Sequence, residues 1–142
     1  SKANIEAKDD EFGQTPLIVA SRRGHERIVT YLVEMKANIE ARDRSGETPL
    51  IHASRRGHKS IVTYLVKSKA NIEARDRSGE TPLIHASRRG HKSIVTYLVK
   101  SKANIEAKDD EFGQTPLIVA SRRGHERIVT YLVEMKANIE AR

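Results

Sequence analysis

The chain has 142 residues, with 26 Lys and Arg against 19 Asp and Glu, a formal charge of +7 at pH 7 and an isoelectric point near 9.8. It contains no Cys, which excludes a disulfide framework, a thiolate metal site and a thiol nucleophile. No apolar run approaches the roughly 20 residues a membrane span requires and no signal-peptide pattern is seen, so a cytoplasmic or recombinant soluble protein is expected.

Taken in order, residues 1–7 read as the return strand of a unit whose helices are missing, followed by units at 8–41, 42–74, 75–107 and 108–141. The second and third units are identical letter for letter, and 101–142 reproduces 1–42 without a change. Thr-Pro-Leu begins at Thr15, Thr48, Thr81 and Thr115, at spacings of 33, 33 and 34. A unit this short cannot bury a core alone, so the copies are expected to stack into one elongated domain spanning 1–142. The outer units are one residue longer because Asp9-Asp10-Glu11-Phe12-Gly13 replaces Asp43-Arg44-Ser45-Gly46, in a turn where insertion costs little.

Within the second unit, Ser45-Gly46 reads as a turn and Thr48-Pro49 opens a helix. Thr accepts a backbone N–H as N-cap, and Pro at the first helical position loses no needed donor. The first helix is expected at about 49–56, ended by Gly57, which reaches the left-handed C-cap conformation at little steric cost. A second helix beginning near His58 carries Ile61, Val62, Leu65 and Val66 as one apolar stripe of period 3.6, with Tyr64 beside them. Lys69, Ala70 and Asn71 close it, and an extended Ile72-Glu73-Ala74 leads into the next turn.

Gly-x-Thr-Pro-Leu, then Ala-x-x-x-Gly-His, then Ile-Val, Leu and a closing Ala-Asn resemble the ankyrin repeat, over essentially the whole chain and four times at the right period. The resemblance implies an all-α ankyrin solenoid of helix-turn-helix pairs joined by β-hairpin-like turns. Two positions depart from the family pattern. Ile18, Ile51, Ile84 and Ile118 stand where the family has His after Thr-Pro-Leu, so the usual Thr to His hydrogen bond is lost. Lys36, Lys69, Lys102 and Lys136 replace the Gly after the second helix. A Lys in left-handed geometry there costs roughly 1 kcal/mol relative to Gly, partly offset by a cation at a helix C-terminus. Because drift erodes natural repeats, perfect copies point to a designed or idealised array, or else to very recent duplication. The outer units, being the same sequence, either compromise as both caps, belong to a longer array, or stack end to end between chains.

Eight of the cations are paired arginines before Gly-His: Arg22, Arg23, Arg55, Arg56, Arg88, Arg89, Arg122 and Arg123. Stacked helices lie about 8–10 Å apart, so the pairs are expected to form a ladder along the first-helix face. By resemblance, they lie on the concave recognition surface with the turn residues Arg44, Ser45, Glu47, Arg77, Ser78 and Glu80. Each central unit holds seven cations and three anions, whereas each outer unit holds five and six, so the middle is basic and the ends slightly acidic. A guanidinium fork suits a carboxylate or phosphate, which makes an acidic protein or peptide the expected partner. Phe12 and Phe112, at the lengthened turn tips, either tuck against a neighbouring turn or anchor a partner.

Nucleic acid fits the isoelectric point but not the 4% aromatic content or the four Tyr on the apolar side of the second helix. His25, His58, His91 and His125 are too far apart to share a metal ion; by resemblance they tie adjacent turns. His52 and His85, which are Val19 and Val119 in the outer units, are expected to be partly packed, to pair with a neighbouring repeat and to make the middle pH-sensitive. No cofactor motif, Walker loop, G-x-S-x-G or H-E-x-x-H is present, and every candidate side chain recurs along a rod instead of converging. The sequence therefore reads as a non-catalytic recognition scaffold for an acidic partner, or else as an engineered structural array without a natural ligand that self-associates end to end.

Overall fold

The structure, a computed structural model, describes residues 3–140. Its elements are α1 (Pro16–Arg23), α2 (Glu26–Glu34), α3 (Pro49–Arg56), α4 (Lys59–Lys67), α5 (Pro82–Arg89), α6 (Lys92–Lys100), α7 (Pro116–Arg123) and α8 (Glu126–Glu140). The first helices α1, α3, α5 and α7 pack side by side in that order, each also rests on its own second helix, and the second helices form a looser parallel row. The result is an all-α repeat solenoid.

Each first helix starts and stops as its sequence dictates. Thr48 Oγ1 accepts the Ile51 N–H at 3.2 Å, with the other three caps alike, and Gly57 closes α3 at φ 83°. The glycine serves a second purpose: a Cβ on Gly57 would lie 2.7 Å from the His91 ring of the following unit. That ring reaches back so that its Nε2 bonds the Arg55 carbonyl at 2.9 Å, as His58 does to Arg22 and His125 to Arg88. The histidine after Gly therefore sets the register between units. His58 precedes α4 without capping it, and the helix starts at Lys59.

Turn tips are joined by backbone bonds across units, from Arg44 N–H to the Phe12 carbonyl, Arg77 to Ser45 and Asp110 to Ser78 at 2.9–3.1 Å. Between second helix and turn, Glu6, Glu40 and Glu73 accept the N–H groups of Asn38, Asn71 and Asn104 at 2.7–2.8 Å. The core is the repeated set Leu50, Ala53, Ile61, Val62 and Leu65, with its counterparts in the other units. The expected stripe on the second helix is buried except at Val66, which is half-buried.

The links between units differ from expectation in two respects. Among the described residues no strand forms: residues 5–6 and 72–73 are turns, each organised by an Asn side chain that accepts the backbone N–H two residues on, so the extended segments at 3–7 and 72–74 are not strands. Lys36, Lys69 and Lys102 do take the left-handed backbone, at φ 71–77°, but Lys136 lies inside α8. The sequence that gives the 9-residue α2 gives a 15-residue α8. Glu106, whose counterparts accept an Asn N–H, instead pairs with Lys136 Nζ at 2.7 Å, and the backbone there continues its helix.

Candidate functional site: the arginine pairs and their turn partners

On α3, His52 and Arg55 are three residues apart and share the face that looks toward the turn carrying Asp43 and Glu47. The turn is held by Asp43 Oδ1, which accepts the N–H groups of Ser45 and Glu47 at 3.0 and 2.9 Å. Its second oxygen is left for His52 Nε2, at 2.8 Å, and Glu47 Oε1 lies 3.4 Å from the same nitrogen. Glu47 Oε2 accepts from Arg55 Nη1, and Arg55 Nη2 lies 3.2 Å from His52 Nδ1. A guanidinium only donates, so Nδ1 is the acceptor and Nε2 carries the proton given to Asp43.

The third unit repeats this cluster with Asp76, Glu80, His85 and Arg88, where the Arg88 fork meets both carboxylate oxygens of Glu80. His52 is 2% exposed and Glu47 8%, so these are interior contacts, not surface pairs. Burial is the chief influence on His52 and pushes its pKa below the usual 6.5 despite its carboxylate neighbours. Burial pushes the Asp43 and Asp76 carboxyls up, but the histidine and backbone N–H bonds outweigh it and hold both below 3.8.

The expected pairing of His52 and His85 with a neighbouring repeat is corrected by this geometry, since each binds its own turn. Glu47 also approaches the next unit, its carboxylate lying within 4.8 Å of ligand atoms of Asp76 and His85. Asp43, Glu47 and His52 form a similar three-atom group. A cation there would have to displace the proton on Nε2 and compete with Arg55 for Glu47, so the donor set as arranged favours the hydrogen-bonded network.

This network sorts the arginines. Arg55 and Arg88 are half-buried and committed to Glu47 and Glu80, which are accordingly withdrawn from the surface. The second member of each pair, Arg23, Arg56, Arg89 and Arg123, is exposed and has no carboxylate partner among the described residues, as is also true of Arg122. The histidine-to-carbonyl bonds fix the spacing of this row. At the tips, Arg44 and Arg77 are exposed, Arg44 donating to the Glu11 carbonyl at 2.7 Å; Ser45 is exposed and Ser78 half-buried. Phe12 and Phe112 are 54% and 78% exposed, so neither ring tucks against its neighbour.

In the first unit Gln14 and Val19 replace Glu47 and His52, and Arg22 has neither carboxylate nor imidazole to bind. The sequence did carry a signal for the cluster: Glu and His occur together in both central units, Gln and Val together in both outer ones. Three of the tyrosines pack against the core as expected, Tyr131 with its phenol pKa raised by burial, but Tyr31 is 60% exposed.

Capped helix pairs in register, with a hydrogen-bonded histidine between units, define a stacked helical-repeat protein. The family model for ankyrin repeats (3 copies) matches residues 1–76 and 69–142. The chain belongs to the ankyrin repeat family, whose members generally mediate contacts between proteins and are typically without catalytic activity. A search of the curated proteins finds no match. Among the described residues no helix is long and apolar enough to cross a membrane.

Proposed function

We propose that the chain is a non-catalytic recognition scaffold whose concave arginine row binds an acidic protein or peptide. The observation that carries this reading is the division of the arginine pairs. The inner members of the central pairs are neutralised by Glu47 and Glu80, whereas Arg23, Arg56, Arg89 and Arg123 are exposed and have no carboxylate partner among the described residues. A partner presenting carboxylates at similar spacing gains several charge-assisted bonds without disturbing the core. Exposed pairs of this kind contribute about 0.2–1 kcal/mol each, so affinity depends on engaging several at once. Calorimetric titration with a hexaglutamate peptide is expected to show salt-sensitive binding that the Arg23, Arg56, Arg89 and Arg123→Ala variant loses; a parent protein that does not bind sinks the reading.

A second reading, end-to-end self-association, is favoured by a different observation. Ile28 is 50% exposed at one end of the stack and Ile118 43% at the other, although their inner counterparts Ile61 and Ile51 are 1% and 0% exposed. The two ends are thus the two halves of the interface that joins units inside the chain. Light scattering across concentration is expected to show growing particles; a mass that stays at 16.0 kDa rules this reading out.

A further inference from the structure

Between the first and second units lies a notch of about 240 Å³, lined on one side by Phe12, Gln14 and Arg22 and on the other by the Asp43 cluster with Arg44 and Arg56. The two sides are unequally satisfied. Arg55 faces a carboxylate supplied by its own turn, but Arg22, at the same position in the first unit, faces Gln14. Gln14 is only 7% exposed; its Nε2 turns toward Asp43 Oδ2 at 3.4 Å, leaving its Oε1 buried and without a partner. Arg22 Nε is likewise buried without a partner. Buried polar atoms left unmatched are costly and uncommon in native folds, and here two sit in the wall of one cavity.

We propose that this notch is a specific subsite for a single carboxylate side chain of the acidic partner, which takes the place at Arg22 that Glu47 occupies at Arg55. The charge in the notch permits it. Asp43 is committed to His52 and to two backbone N–H groups and Glu47 to Arg55, while the guanidinium groups of Arg22 and Arg56 are uncommitted. The exposed Phe12 ring at the rim offers an apolar surface to the aliphatic stem of a Glu or to the residue beside it. A guanidinium fork held in a walled recess selects a planar carboxylate by geometry as well as charge. The fourth unit has the same Gln114 and Val119, but no described unit follows it to close a recess, and Arg122 stands exposed.

The subsite rests on the acidic-partner reading, and the Gln14→Glu variant separates the two. It gives the first unit the carboxylate that the second and third already carry, so it folds as they do, and it fills the place at Arg22 from within. Titration with hexaglutamate is followed by calorimetry and by the Arg22 Nε–H resonance, in the parent, Gln14→Glu and Arg89→Gln proteins. The expected result is movement of the Arg22 resonance in the parent. The affinity of Gln14→Glu is expected to fall about tenfold, as for the loss of one charge-assisted contact, with a smaller fall for Arg89→Gln. If the peptide binds the parent and Gln14→Glu equally, the subsite is overturned and the arginine row survives; if it binds neither, both fall. Movement of the Arg22 resonance by inorganic phosphate but not by peptide also overturns the carboxylate assignment.

Discussion

The first and second units fold into the same helix pair, cap their first helices with the same Thr and Gly, and differ in how their polar side chains are wired. In the second, Glu47 and His52 bind Arg55 and leave Arg56 as the exposed cation; in the first, Gln14 and Val19 leave Arg22 without either contact. A count of cations read from sequence therefore overstates what the central units present. One of the seven cations in each, Arg55 or Arg88, is already paired with a carboxylate of its own turn. The first and last units, identical in sequence, add a second lesson: only where a further turn packs on does Lys adopt the left-handed backbone.

The largest effect is expected at the glycines. Gly57→Ala and Gly124→Ala both place a side chain in left-handed backbone, costing roughly 1–2 kcal/mol. Only at Gly57 does the new Cβ meet the His91 ring, at 2.7 Å, whereas nothing lies within 4 Å of Gly124. Overpacking adds about 1–3 kcal/mol, so urea midpoints should drop much further for Gly57→Ala. Equal drops would contradict the register role of the histidine.

Next comes the polar cluster. His52→Val installs the outer-unit residue and leaves the Asp43 carboxylate short of a buried partner, an expected loss of about 1–3 kcal/mol. Pairing it with Glu47→Gln reproduces the outer-unit wiring. In a double-mutant cycle, the combined loss should be smaller than the sum of the single losses by about 0.5 kcal/mol or more. Strict additivity would show that the four side chains do not act as a unit.

The pH dependence follows from the same cluster. Native His52 takes up a proton less readily than the unfolded chain, so its contribution is complete above pH 6.5 and declines as the pH falls below that value. Asp43 and Asp76 run the other way in charge but the same way in pH: with native values below 3.8, their contribution is present above that pH and lost as the pH falls through the native values. Denaturation across pH 8 to 3 is expected to show two descending limbs, with the upper one reduced in His52→Val. An upper limb unchanged in that variant would assign it to other groups.

The smallest effect has opposite signs at two copies of one residue. Lys69→Gly relieves a φ of 76° and should stabilise by roughly 1 kcal/mol. Lys136→Gly places Gly inside α8 and should destabilise by about 1 kcal/mol. Melting temperatures moving in the same direction would break the comparison between the inner and last units.

Local chemistry made much of this legible in the sequence. Thr-Pro and Gly mark the first helix to the residue, because caps are set by side chains within four positions. The stripe at Ile61, Val62 and Leu65 marks the buried face of the second. What escaped depends on contacts outside the unit's own periodicity. The strand expected at 1–7 and the extended segment expected at 72–74 become turns in the described residues, because the Asn4 and Asn71 side chains accept the Glu6 and Glu73 N–H groups. The partners of His52 lie nine and five residues back in a turn, a separation no helical periodicity reveals.

The central claim is that the turn carboxylate decides which guanidinium is open to a partner. NMR of the arginine side chains tests it directly, because a guanidinium fixed in a bidentate or buried pair rotates slowly and protects its N–H protons from solvent exchange. The account predicts slow rotation and protection at Arg55 and Arg88, and rapid averaging at Arg23, Arg56 and Arg89. Uniform behaviour across all of these arginines would contradict it.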